Sequence, residues 1–382
     1  MLTFLFLWFS RTAGADYDNA FGTYTSGDFK AAFKQMLPLA EMGDMDAQYA
    51  LGHMYDKGEG VLKSDTTAIH WYTKAAMQGH SKGLYNLAYM YDNGEGVLEN
   101  DEIAVSWYTI AAKKQHAKSQ YKLGYMYANG YGVAKNANKA VKWYSKAAEL
   151  GHSLAQYDLG YIYDVGEDVL ENNKIAAKWY IKAAEQDNIK AQYTLGYMYY
   201  NGEGVLANDK TAVYWYTKAS EQGHAWAQYT LGYLYAHGLG ALKNDKTAIK
   251  WYAKAAEQGH AWAQYALGYI YDNGIGVMEN DQTAVKWYTL AAEYGDAQAQ
   301  YVLGYMFANG EGVLENDNTA VKWYTEAAER DHANAQYALG YMYNNGEGVL
   351  VNHKAAVKWY TKAAEQGHKY AQESLAAMGT KK

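Results

Sequence analysis

The chain has 382 residues, with 34 Lys and Arg against 41 Asp and Glu, a formal net charge of −7 at pH 7. That balance offers no attraction for a phosphate backbone and argues against nucleic acid as a partner. There is no cysteine, which excludes disulfide frameworks and thiolate metal sites.

Residues 2–9, LTFLFLWF, form an apolar run, followed by Arg11 and then Ala13, Gly14 and Ala15. This resembles the apolar stretch and small-x-small cleavage site of a secretory signal, without its usual basic start. It predicts a signal peptide over 1–15, cleaved after Ala15, and a periplasmic or secreted protein. If 1–15 is instead an apolar extension packed on the first repeat, the chain is cytoplasmic. Eight apolar residues are too few to span a bilayer, and no other stretch reads as a span, so stable membrane insertion is not expected.

Residues 16–43 read as an N-terminal capping unit. Gly27, Asp28, Phe29, Ala32 and Phe33 follow the pattern of a later helix, but Gln35 stands where later units carry Trp. Pro38 lies inside that helix and should bend it.

Residues 44–367 are nine repeats of 36 residues. Trp71, Trp107, Trp143, Trp179, Trp215, Trp251, Trp287, Trp323 and Trp359 mark the period, and a Leu-Gly-x-(Met/Ile/Leu)-(Tyr/Phe) motif keeps step from Leu51 to Tyr343. Such a period means a stack of one unit too small to bury its own apolar face. In residues 261–296, Ala263, Leu267, Ile270 and Tyr271 share one helical face, and Gly274 is placed to end that helix. Asp281 is placed to cap a second helix carrying Ala284, Trp287, Tyr288, Ala291 and Ala292 on one stripe, ended by Gly295. Gly268, mid-helix at a cost of about 1 kcal/mol against Ala, suggests close approach of a neighbouring helix. Burying each Trp is worth about 4–6 kcal/mol before entropy, so the nine rings are expected to form the spine of the stack. Asp168 replaces the second loop Gly and should cause a local adjustment. Residues 368–382 read as a C-terminal capping helix and tail, where Glu373, Ala376 and Ala377 depart from the repeat.

One unit contains Ala227, Gln228, Leu231, Gly232, Tyr235, Gly238, Gly240, Asp245, Ala248, Trp251, Tyr252, Ala255, Ala256 and Gly259, with Ala241 in a slot that is usually Val. In these residues the chain resembles the Sel-one-like repeat (SLR) family, relatives of the tetratricopeptide repeats, over about residues 26–378. The resemblance implies an all-α, right-handed solenoid of antiparallel helix pairs with a concave groove that serves as an adaptor for other macromolecules.

Seven histidines, His80, His116, His152, His224, His260, His332 and His368, recur just before the first helix of a unit. Equivalent positions in stacked helices lie about 8–10 Å apart, too far to share one ion. Asp44, Asn188 and Asp296 fill the same slot, which points to a polar turn or cap and to no metal. The Gly-x-Gly loops, such as Gly202 and Gly204, lack the Lys-Ser/Thr and preceding strand of a phosphate cradle, so no cofactor is expected. An enzyme needs unlike residues converging on one place, and this chain repeats like residues at a fixed step, which reads as non-enzymatic. Some members of the resembled family are linked to β-lactam chemistry, but those are cysteine-rich. A hydrolase stays a distant alternative.

The best surface candidate is a ladder of tyrosines. Tyr229 and Tyr233 lie roughly 160–200° around the first helix from the face of Ala227, Leu231 and Tyr235. The first slot is Tyr in all nine units and the second in eight, with His53 in the first. These rings either floor a binding groove or pack between successive first helices. Trp226 and Trp262 interrupt the repetition in two adjacent units. The candidate partner-binding set is therefore Tyr193, Tyr197, Trp226, Tyr229, Tyr233, Trp262, Tyr265 and Tyr269. The expected function is a protein–protein scaffold that holds a protein or peptide on the concave face, with an envelope glycan or peptidoglycan as the alternative ligand.

Overall fold

The computed structural model describes residues 16–166 and 170–379. The expected signal segment 1–15, the adjustment at Asp168 and the last three residues lie outside the described residues. Those described contain helices and connecting turns only. α1 (16–25) and α2 (Phe29–Glu41) come first. Nine pairs follow, from α3 (Met45–Lys57) and α4 (Asp65–Met77) to α19 (Ala333–Asn345) and α20 (His353–Glu365), and α21 (Lys369–Gly379) closes the series. This is the expected all-α solenoid of antiparallel pairs repeating along the chain. Its contacts divide it into two units, residues up to 191 and residues from 192 on.

Repeated caps set the length of each helix. α15 (Ala261–Asp272) stops before Asn273 and Gly274, the latter at φ +63°, a left-handed turn that glycine makes without strain. α16 (Asp281–Glu293) is capped by Asn280, outside the helical region at φ −157°, whose Oδ1 accepts the Thr283 amide at 2.9 Å. This corrects the expectation for Asp281. A cap must stand outside the helix and reach an amide three residues on, and Asn280 does so. Asp281 is already in the first turn, where its charge meets the positive end of the helix dipole.

The spine of each pair is also a correction. Of the nine repeat tryptophans only Trp71, Trp251 and Trp359 are buried, at 7–9% exposure, and the rest are half-buried. The tyrosine after each, from Tyr72 to Tyr360, is 0–5% exposed. Tyr288 packs onto Gly268 of the paired helix, where a β-carbon would sit 2.5 Å from its Cδ1. The mid-helix glycine therefore does face a neighbouring helix, as expected, and makes room there for a ring of its own repeat. Tryptophans instead join repeats: Trp287 lies on the core around Tyr252 and Ile270, and Trp323 on the core around Tyr288 and Met306. Lysines shield several of these rings, as Lys254 does with its Nζ 4.6 Å from the Trp251 centroid.

Buried glutamines tie the end of one pair to the start of the next. Gln228, 3% exposed, donates to the Ser220 carbonyl at 3.0 Å, closing the end of α12 (Asp209–Glu221). Its Oε1 accepts from Gln258 of the same repeat at 2.8 Å.

Candidate functional site

The eight candidate residues all lie in the unit from 192 on, on α11 (Ile189–Asn201), α13 (Ala225–His237) and α15. The two tyrosine slots differ. Tyr193, Tyr229 and Tyr265 are half-buried, whereas Tyr197, Tyr233 and Tyr269 are exposed. The half-buried rings are wedged: Tyr229 stacks on His260 with centroids 4.8 Å apart and meets Tyr252 at 5.7 Å. Tyr193 does the same with His224 at 4.5 Å and Tyr216 at 5.8 Å. The packing reading therefore holds for the first slot, and the second presents its rings to solvent. Burial pushes the Tyr193, Tyr229 and Tyr265 phenols up, so they stay neutral donors at physiological pH.

The recurring histidines are helix caps. His224 Nδ1 accepts the Ala227 amide at 3.2 Å, and His260 Nδ1 accepts that of Ala263 at 3.3 Å. Only the neutral imidazole can accept, and burial pushes both below the ordinary histidine value. The free nitrogen reaches the preceding repeat: His80 Nε2 lies 3.2 Å from Asp46 Oδ1, and His332 Nε2 lies 2.9 Å from Gln298 Oε1. Among the described residues no three His, Asp or Glu side chains gather as a metal ion requires.

Trp226 occupies the slot of Asp46 and Gln298. His260 accordingly has a buried Nε2 with no hydrogen-bond partner, and its ring meets Trp226 edge-on at 4.5 Å. Trp226 also meets Trp262 edge-on at 5.2 Å. The two tryptophans are thus unlike. Trp226 covers a cap, whereas Trp262, 53% exposed, forms the wall of a cavity.

That cavity, about 450 Å³, lies between α13 and α15. Tyr229, Tyr233, Trp262, Tyr265 and Tyr269 line it, so five of the eight candidates share one site. Tyr193, Tyr197 and Trp226 lie outside its wall. Reasoning from the repeat pattern missed the other nine lining residues, among them Ala236, His237, Tyr252 and Ile275. Two of them carried a signal as departures from the repeat: Ile275 stands where six units carry Glu, and His237 where six carry Asn. His237 packs on Tyr233 at 4.0 Å and donates from Nδ1 to its carbonyl at 2.9 Å, which fixes the ring. Lys243 and Asp245 also line the cavity and face each other at 3.6 Å. Among the described residues no helix is long and apolar enough to cross a membrane.

The model of the Sel1 repeat matches residues 46–80, 81–116, 117–152, 153–188, 189–224, 227–260, 263–296, 297–332 and 333–368. Among solved structures, the chain is similar to a protective antigen present in uropathogenic Escherichia coli strains and displaying an SLR fold. The two share 32% identity over 97% of this chain and 88% of that one, with a TM-score of 0.73. It is also similar to a Sel1 repeat protein from Oxalobacter formigenes, at 31% identity over 81% of this chain and 90% of that one, with a TM-score of 0.65. No curated protein sequence matches the chain.

Proposed function

The chain belongs to the Sel1 repeat family, and from that premise we propose that it is a non-enzymatic scaffold holding a protein partner on the first-helix face of α11, α13 and α15. The observation that carries this reading is the series of exposed rings at Tyr197, Tyr233 and Tyr269, set beside Trp262 on rigid helices. Rigid aromatic side chains give large contact area at small entropic cost, and Trp and Tyr are frequent binding hot spots. The ladder spans consecutive repeats, which suits an extended segment lying across them.

A photo-crosslinking amino acid at Tyr233 tests this in the native host. A polypeptide captured there, and lost in Trp226→Ala with Trp262→Ala, is the expected result. Capture of glycan instead, or capture unchanged in the double variant, would refute it.

We further propose that the protein is exported, on the strength of residues 2–9 and the Ala13-Gly14-Ala15 site. A relative described as a protective antigen supports that setting. N-terminal sequencing should find Asp16 first, and intact Met1 in the cytosol would end the claim.

A further inference from the structure

We propose that the cavity between α13 and α15 is a socket for one uncharged apolar side chain, aromatic by preference, of a partner peptide. This rests on the scaffold reading above and adds the chemistry of the anchor.

The chain supplies its own control. Five repeats earlier, the equivalent cavity of about 290 Å³ is lined by Asp56, Lys57, Asn86 and Glu95. In the socket the corresponding residues are Ala236, His237, Ala266 and Ile275. Each change removes a charge or an amide. Toward the end of the chain a third cavity, about 600 Å³, keeps Asn309, Asn334 and Glu347. Of these three, only the socket has neither a Glu nor an Asn at these slots. Its two charged lining residues, Lys243 and Asp245, face each other rather than an incoming ligand.

Charge and size select the occupant. A charged side chain entering here would shed water and meet no free counter-ion, which is costly. A sugar would bring many hydroxyls to a wall whose carboxylate and amide slots are now Ala236, Ala266 and Ile275, and hydroxyls buried without partners are also costly. An apolar ring meets Trp262 and five tyrosines suited to edge and offset contacts. Ligand pockets run from roughly 300 to 1,000 Å³, so this one has room for a single large side chain with its adjoining backbone.

The test uses the full chain labelled with 5-fluorotryptophan, the Trp262 fluorine resonance being assigned with Trp262→Phe. The probes are acetyl-Gly-Phe-Gly-amide, acetyl-Gly-Lys-Gly-amide and di-N-acetylchitobiose. The phenylalanine peptide should shift the Trp262 resonance saturably, with a dissociation constant on the order of millimolar, and the other two should not. Ile275→Glu restores the residue native to the slot at Glu95 and Glu347, so the fold should accept it, as an unchanged urea midpoint would verify. It should weaken the phenylalanine peptide about 10-fold or more. Ala236→Asp, restoring the residue of Asp56, should do the same independently.

Equal binding of the lysine peptide, preference for chitobiose, or indifference to both variants overturns the socket. So does a Trp262 shift that follows protein concentration alone, which would assign the cavity to a second copy of the chain. If the phenylalanine peptide fails while the crosslinked partner still depends on Trp226 and Trp262, only the socket falls. If the peptide binds but the crosslinked partner ignores that double variant, the scaffold reading falls.

Discussion

Tyr288 rests on Gly268 so closely that a β-carbon there would lie 2.5 Å from Cδ1 and 2.6 Å from Cε1 of the ring. The same contact recurs at Gly124 with Tyr144 and at Gly232 with Tyr252. Helix propensity alone would make Gly268→Ala stabilising by about 1 kcal/mol. The clash is with the base of a buried ring, and overpacking costs about 1–3 kcal/mol. We therefore expect Gly268→Ala to lower the urea midpoint. A midpoint that rises would mean the ring has free space beside it.

The same contact ranks two neighbouring aromatics. Tyr288 is 1% exposed and its hydroxyl donates to Asp272 at 3.3 Å, whereas Trp287 is half-buried. Tyr288→Ala should lose about 3–5 kcal/mol, the range for a buried aromatic, and Trp287→Ala less. Urea melts of the two variants decide it, and the reverse order would restore tryptophan as the spine.

The period and the helix pairing were legible in the sequence because every repeat states them again. The rank of Trp287 against Tyr288 was not. Both sit on the inner stripe of one helix, and only the facing Gly268, in another helix, decides which ring goes under. The cap was misplaced by one residue for a similar reason: Asn280 and Asp281 are both good caps, and the backbone angle that separates them is not written in either. At the site, attention to recurring tyrosines found four lining residues and the break at Trp262 a fifth, while Ile275 and Ala236 were passed over. Those are informative only as departures from the other repeats, and a small or aliphatic residue looks unremarkable alone.

The histidine caps make the fold sensitive to acid. Burial pushes His80, His116, His152, His224, His260 and His332 below the ordinary value of 6.5. A histidine with a lowered folded pKa binds fewer protons folded than unfolded. Its contribution is full above pH 6.5 and is lost as pH falls from there toward the folded value. The half-buried carboxylates Asp158, Asp164 and Asp272 are pushed up from 3.8 by desolvation and act with the opposite sign, between 3.8 and their raised folded values. The urea midpoint should therefore drop between pH 7.5 and 5.5. His224→Asn with His260→Asn, using the residue native to that slot at Asn188, should flatten the drop. An unchanged slope would mean the imidazoles are not holding the helix starts.

The glutamine links suggest a stabilising change in the other unit. Gln186 Nε2 donates to Gln156 Oε1 at 2.7 Å, and Gln78 does the same for Gln48 at 2.8 Å. Gln120, Gln264 and Gln300 each have a buried Oε1 with no partner. The residues at the equivalent donor slots are Leu150, Tyr294 and Arg330, so the glutamine donor is missing where the oxygen is orphaned. Gln120 is otherwise in place, its Nε2 donating to the Ala112 carbonyl at 3.0 Å. Leu150 is exposed, so replacing it removes little from the core. Leu150→Gln should then raise stability by about 0.5–1.5 kcal/mol, the net worth of one hydrogen bond. Gln186→Leu should lower it by about 1–3 kcal/mol, because it orphans the Gln156 oxygen. Urea melts of both variants test the pair. If Leu150→Gln gains nothing and Gln186→Leu loses nothing, the links are incidental to the packing of α9 (Ser153–Val165) on α10 (Asn173–Ala184). If both shift as expected, the links add to the stability of each helix pair.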